Sequence, residues 1–81
     1  MSRYRGGNMS DFSERLKELR LEKGISQDAV EKVIGVKRYS VWGYEKGRNF
    51  PEVPGLIALA DYFGVSTDYL LGRTDNPEIN R

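Results

Sequence analysis

The sequence predicts an all-α domain built from five short helices. Apolar residues recur at intervals of three and four along several segments of the 81-residue chain, and that spacing places them on one face of a helix. A glycine follows each of these segments, and glycine often ends helices because it adopts the left-handed conformation without strain. No segment alternates apolar and polar residues as a half-buried strand would. The length fits one small domain.

The first helix is predicted to begin at Asp11. Asp11 and Glu14 have the spacing of a capping box, in which the side chain of each residue accepts a hydrogen bond from the backbone amide of the other. Leu16 and Leu19 continue an apolar face along this segment, and Gly24 is expected to end it.

Two short helices joined by a glycine turn are predicted next. Ser26 is a suitable N-cap for the first of them, which is expected to end at Gly35. The other is predicted from about Lys37 to Glu45, with Gly47 beyond its end. Such a pair can hold its second helix away from the core.

The last two helices follow a loop. Glu52 is a candidate N-cap for the fourth helix, which Gly64 ends, and Ser66 is expected to cap a short fifth helix that reaches Gly72. Residues 73–81 are polar and are predicted to be a tail.

Composition excludes several kinds of chemistry. The chain has neither Cys nor His, so disulfides, thiolate zinc sites and Ser-His-Asp or Cys-His catalysis are excluded. No apolar stretch approaches the roughly 20 residues of a membrane helix, and a cytoplasmic protein is expected. We expect no enzymatic activity, cofactor or metal, because the carboxylates lack a suitable spacing and are expected at the surface or at helix caps: Asp28, Glu31, Asp61 and Asp68.

Positive charge is concentrated in and after the third predicted helix. The whole chain carries 13 basic and 12 acidic residues, but residues 37–48 carry four basic residues and one acidic residue. Residues 49–81 carry two basic and five acidic residues. A basic stripe of this kind suits a polyanionic partner, and a solvated helix face is the alternative.

The third predicted helix has two different faces. Val41 and Tyr44 lie on one side, as core residues would. A sector of roughly 140° on the other side holds basic, aromatic or small residues, namely Arg38, Tyr39, Trp42, Gly43 and Lys46. An outward Trp42 between cations favours a partner surface, whereas a Trp42 folded back onto the second or fourth helix is the alternative.

Short motifs occur in a fixed order between Asp11 and Gly72. They are Leu16-Lys17-Glu18-Leu19-Arg20, Lys23-Gly24-Ile25-Ser26-Gln27, Ile34-Gly35-Val36, Ser40-Val41, Tyr44-Glu45-Lys46-Gly47-Arg48, Pro51 and Phe63-Gly64-Val65-Ser66-Thr67-Asp68-Tyr69-Leu70-Leu71-Gly72. In this order they resemble the helix-turn-helix domain of phage Cro and repressor proteins, the XRE or lambda-repressor-like family. The last motif is most similar to repressors of low-GC Gram-positive bacteria and their phages.

The resemblance implies a compact five-helix domain over residues 11–72 and binding to double-stranded DNA. Family members insert the third helix, here residues 37–46, into the major groove. The positions expected to contact bases are Lys37, Arg38, Tyr39, Trp42 and Gly43. Arg38 is the best base reader, because a guanidinium matches O6 and N7 of guanine. Phosphate contacts are expected from Gln27, Ser40, Lys46, Arg48 and Asn49.

The resemblance further implies a bacterial or phage transcriptional regulator associated with the nucleoid, a repressor more often than an activator, that binds a palindromic operator as a homodimer. Arg20 and Glu45 match a structural ion pair of the family. The dimer surface is expected near the C-terminus, at residues that could instead close the core: Tyr62, Tyr69, Leu70 and Leu71. A protein-interaction module of antitoxin type, binding through Tyr39 and Trp42, is the alternative function.

Three residues depart from the family pattern. Glu31 replaces the usual alanine where the second and third helices cross closely, so its carboxylate has to turn aside. Lys37 replaces a small polar N-cap, and Gly43 lies inside the predicted third helix.

Residues 1–10 precede the domain as a basic arm that could enter a minor groove, and a passive tail or an expression remnant is the alternative.

Overall fold

A computed structural model describes residues 9–79 of the chain. In order, its helices are α1 (Met9–Lys23), α2 (Gln27–Ile34), α3 (Ser40–Glu45), α4 (Val53–Phe63) and α5 (Thr67–Leu70). No strand occurs within this range, so the predicted all-α class with five helices is confirmed. None of the helices in residues 9–79 is long and apolar enough to cross a bilayer.

Every helix contributes to one core. The largest fully buried side chains come from all five helices and are Phe12, Leu16, Val30, Val41, Leu59 and Leu70. The prediction that Leu70 belongs to a dimer surface is therefore wrong. Its side chain is 0% exposed and closes the core against the other helices.

The first helix begins earlier than predicted. α1 starts at Met9, so Asp11 lies inside the first turn and the predicted capping box with Glu14 is not its start. Asp11 lies beside Gly72, which follows α5. A Cβ atom at Gly72, where φ is +80°, would lie 2.5 Å from the Cβ atom of Asp11. Residues 9 and 10 of the predicted arm are thus helical, and residues 1–8 lie outside the described range.

Predicted caps form where a serine precedes the helix. The Oγ atom of Ser26 accepts a hydrogen bond from the Ala29 amide at 3.1 Å, and Gly35 ends α2 in the left-handed conformation with φ +75°. The Oγ atom of Ser66 accepts a hydrogen bond from the Tyr69 amide at 2.9 Å and caps α5 in the same way. Each cap satisfies an amide that the helix leaves unpaired.

The third helix begins later than predicted. α3 starts at Ser40 instead of Lys37, and the Ser40 amide donates to the Lys37 carbonyl at 3.1 Å across a turn. The N-cap is Tyr39, which has φ +72° and is the only non-glycine residue with a positive φ among residues 9–79. The expectation that Lys37 occupies the N-cap is wrong, because the chain is still turning at that residue.

The segment after α5 is fixed to the domain. The Nη1 atom of Arg15 donates to the carbonyl oxygens of Tyr69 and Thr74, each at 2.6 Å. The Ser66 amide donates to the Pro77 carbonyl at 2.9 Å. Residues 73–79 of the predicted polar tail therefore lie against α1 and α5.

Candidate nucleic-acid interface

The outer side of α3 and the residues on either end of it form an exposed basic surface. Its members, here called the basic face, are Lys37, Arg38, Tyr39, Trp42, Lys46, Arg48 and Asn49, and all seven are exposed. Val41 and Tyr44 of the same helix are buried, as predicted from their spacing. Trp42 is 41% exposed, so the alternative in which it folds back into the domain does not hold.

Two guanidinium groups of the basic face lie over aromatic rings. The Arg38 guanidinium carbon is 4.8 Å from the ring centre of Tyr39, and the Arg48 guanidinium carbon is 5.4 Å from that of Trp42. Such cation–π contacts restrict the conformations of the two long side chains. The basic face therefore presents positioned donors and apolar ring surface together.

A buried carboxylate fixes the end of α3. The Nε atom of Arg20 donates to Oε2 of Glu45 at 2.6 Å, and Nη2 donates to Oε1 at 3.0 Å. Only 4% of the Glu45 side chain is exposed. The ion pair implied by the family resemblance is present, and it joins α1 to α3.

Gln27 and the first loop complete this network. The Nε2 atom of Gln27 donates to Oε1 of Glu45 at 3.0 Å, and Nη1 of Arg20 donates to the Ile25 carbonyl at 3.0 Å. The hydrogen bond to Glu45 raises the pKa of Arg20 above its ordinary value, although burial acts in the opposite direction. Gln27 thus supports α3 directly, while its expected phosphate contact stays a prediction.

The start of α1 also holds the C-terminal half of α3. The Oγ atom of Ser13 donates to the Tyr44 carbonyl at 2.6 Å, and the rings of Phe12 and Tyr44 meet edge to face with centroids 6.2 Å apart. Burial raises the pKa of the Tyr44 phenol, and a hydrogen bond with Ser40 acts in the opposite direction. Tyr44 therefore stays neutral at physiological pH and acts as a core residue.

Gly43 is not part of the accessible surface. It is buried, and the Asn49 side chain lies where a Cβ atom at position 43 would stand. The Arg48 amide donates to the Gly43 carbonyl at 2.9 Å, which brings the loop after α3 back over the helix. The prediction of a base contact by Gly43 is wrong, because the following loop covers it.

The sequence singles out Glu31 at a close helix crossing but does not reveal its contact with α3. It is 5% exposed, and its Oε2 atom accepts a hydrogen bond from the Val41 amide at 3.1 Å. The expectation of a surface carboxylate is therefore wrong for Glu31. A sequence signal existed, because a charged residue at a close helix crossing needs a buried partner.

No group of three or more Asp or Glu residues in the described part of the chain could hold a metal ion.

Comparisons with known proteins identify similar chains. Residues 11–71 match the model of a family described as a helix-turn-helix domain. The chain is 41% identical over 63 residues to the SPbeta prophage-derived HTH-type transcriptional regulator YonR of Bacillus subtilis, covering 78% of this chain and 58% of YonR. It is 35% identical over 54 residues to the cryptic phage CTXphi transcriptional repressor RstR of Vibrio cholerae, covering 67% of this chain and 49% of RstR.

A solved structure has the same architecture. The restriction-modification controller protein C.AhdI of Aeromonas hydrophila superposes with a TM-score of 0.69 at 31% identity, covering 76% of this chain and 94% of C.AhdI. The curated relatives are longer than the matched region, since the chain spans 58% of YonR and 60% of the B. subtilis regulator YobD.

We expect Arg20→Ala to destabilise the domain strongly. The change leaves the buried Glu45 carboxylate without its cation, which typically costs about 3 kcal/mol in the free energy of unfolding. Urea denaturation followed by circular dichroism measures this quantity.

Asp75→Ala is the matched control. Asp75 also pairs with an arginine, at 2.7 Å, but its side chain is 99% exposed. We expect nearly unchanged stability, because exposed pairs contribute little. Equal losses in the two variants would contradict a special role for the pair with Glu45.

Proposed function

Because the chain belongs to the helix-turn-helix domain family, we propose that it is a sequence-specific DNA-binding transcriptional regulator and acts as a repressor. The observation that carries this proposal is the basic face, in which cations and aromatic rings surround a six-residue helix. Both ends of this helix are anchored to the core. A helix held in this way can enter a major groove without losing its orientation.

The proposed division of contacts follows side-chain chemistry. Arg38 reads guanine, because its guanidinium can donate two hydrogen bonds to O6 and N7. The rings of Tyr39 and Trp42 contact thymine methyl groups. Phosphates are contacted by the remaining polar and basic side chains, which set the orientation and carry no sequence information: Gln27, Lys37, Ser40, Lys46, Arg48 and Asn49.

Repression suits a protein of this kind. A bound domain blocks a promoter without any further contact, and two of the similar proteins carry names that point to phage regulation. We propose that the protein is associated with the nucleoid in the cytoplasm and has no enzymatic activity. The names of the similar proteins, which are transcriptional regulators, support this proposal.

A protein-interaction module is the second candidate. The observation in its favour is the exposure of two large aromatic side chains, Tyr39 at 65% and Trp42 at 41%. Aromatic residues of this kind often dominate protein interfaces. The dependence of binding on salt separates the two functions, because phosphate contacts weaken steeply with salt and aromatic contacts do not.

Binding as a homodimer is part of the proposal. A helix as short as α3 contacts few bases, so useful affinity calls for two copies on a two-fold operator. Tyr62 and Tyr69 of the expected dimer surface already contact cations of their own chain: Lys23 lies 5.0 Å from the Tyr62 ring, and Arg15 lies 4.2 Å from the Tyr69 ring.

Three exposed apolar side chains lie on or just before α4. Val53 and Ile57, one helical turn apart, are 67% and 46% exposed, and Phe50 is 48% exposed. Phe50 and Leu71 both line an apolar depression of about 230 Å³. We therefore assign the dimer surface to this side of α4 together with Leu71, in place of the buried Leu70.

Selection from random duplex DNA at physiological salt tests the function. We expect the bound pool to contain a palindrome whose half-sites lie about 10 base pairs apart, the spacing that a two-fold dimer requires. A single half-site would contradict the dimer. A pool without any enriched sequence would contradict DNA reading and favour the protein-interaction module.

Arg38→Ala and Arg48→Ala separate base reading from phosphate contact. Arg38→Ala should lose preference at one base position, which corresponds to roughly 1–3 kcal/mol of discrimination. Arg48→Ala should weaken binding to all sequences and reduce the slope of log affinity against log salt by about one unit. Titrations of matched and mismatched duplexes at several salt concentrations measure both effects, and identical behaviour of the two variants would refute the assignment.

Ile57→Asp tests the dimer surface. We expect binding to the full palindrome to weaken about tenfold, because an apolar contact worth more than about 1 kcal/mol is lost, while binding to an isolated half-site is unchanged. Leu21→Asp is the control, since Leu21 is 59% exposed on α1. Equal effects of both changes on the palindrome would contradict an interface at α4.

A further inference from the structure

Glu31 is a charged residue buried at the junction of α2 and α3. A buried carboxylate is costly unless hydrogen bonds compensate for the lost water. Here the compensation comes from the next helix, because Oε2 of Glu31 accepts the hydrogen bond from the Val41 amide. Val41 is the second residue of α3, so this amide is one of those that a helix cannot pair internally.

The start of α3 has no local cap. Tyr39 occupies the N-cap position in the left-handed conformation, and its side chain makes no capping hydrogen bond. Glu31 supplies the acceptor that the N-cap lacks and places a negative charge at the positive end of the helix. α3 is therefore capped by a residue of the preceding helix.

The main chain of Glu31 holds the turn as well. Its carbonyl oxygen accepts hydrogen bonds from the amides of Gly35, at 2.9 Å, and Val36, at 3.1 Å. One residue thus fixes the end of α2, the turn and the first residues of α3. With the turn and Val41 both held, α3 begins at Ser40, and Lys37–Tyr39 stay outside the helix.

We propose that Glu31 is a positioning residue that sets which bases the protein prefers. By capping α3 at Val41 it keeps Arg38 and Tyr39 in the turn, so both side chains approach DNA from a different direction than helical residues would. Arg38 and Glu31 line the same surface depression of about 320 Å³, which places the base-reading side chain next to the residue that positions it. This inference rests on the proposed function.

The test compares selections from random duplex DNA for the wild-type chain and three variants. Glu31→Gln keeps an oxygen that can accept from the Val41 amide, and we expect it to enrich the wild-type sequence. Glu31→Ala removes the acceptor and opens space for α3 to extend toward Lys37. We expect its preference at the positions read by Arg38 and Tyr39 to change about tenfold, as for a lost or altered base contact, with the salt dependence unchanged.

Glu31→Met separates the loss of the hydrogen bond from the loss of packing. Methionine fills a volume similar to that of glutamate but has no carboxylate oxygen to accept from the Val41 amide. We expect it to change the preferred sequence in the same direction as Glu31→Ala, and it carries the test if Glu31→Ala does not fold. Amide exchange of Val41, measured without DNA, should accelerate about tenfold in both variants and not in Glu31→Gln.

The outcomes separate the inference from the proposed function. A wild-type pool without enrichment overturns both. An enriched wild-type sequence that Glu31→Ala and Glu31→Met also enrich unchanged overturns only the role of Glu31. A Glu31→Gln variant that behaves like Glu31→Ala likewise overturns the capping role, because the hydrogen-bond acceptor would then not be what sets the preference.

Discussion

A helix of six residues is too short to be stable on its own, and the basic face of this domain depends on how the protein compensates for that. Two carboxylates do so from opposite ends. At the start of α3, the Glu31 side chain accepts a hydrogen bond from the Val41 amide. At its end, the Glu45 carboxylate accepts hydrogen bonds from Arg20 and Gln27. The stability of the basic face therefore comes from α1 and α2 more than from α3 itself.

This arrangement explains the unusual composition of α3. Buried Val41 and Tyr44 fix one side of the helix in the core, and the anchored ends prevent it from rotating. On the outer side, Trp42 is exposed and is not part of the core. The side chains on this outer side can be chosen for recognition, which is why an exposed tryptophan and poor helix formers are tolerated there.

The fold was predictable wherever the responsible residues are close in sequence. Ser26 and Ser66 cap the helices that directly follow them, and their roles could be recognised from spacing alone. The start of α3 and the burial of Gly43 could not be predicted, because Glu31 and Asn49 act across a turn or a loop. For the candidate site, helical geometry correctly placed buried Val41 and Tyr44 opposite exposed Trp42, but it wrongly placed Gly43 on the outer side. The cap supplied by Glu31 could not be predicted, since no local pattern describes a cap that comes from another helix.

The packing of Asn49 over Gly43 links a residue of the basic face to a buried glycine of α3. Any residue other than glycine at position 43 would place its Cβ atom in the space that the Asn49 side chain occupies. A side chain at position 43 would therefore require the exposed Asn49 side chain to rotate away. Under the proposed function, a single substitution at position 43 would therefore alter two side chains of the recognition surface at once, its own and that of Asn49.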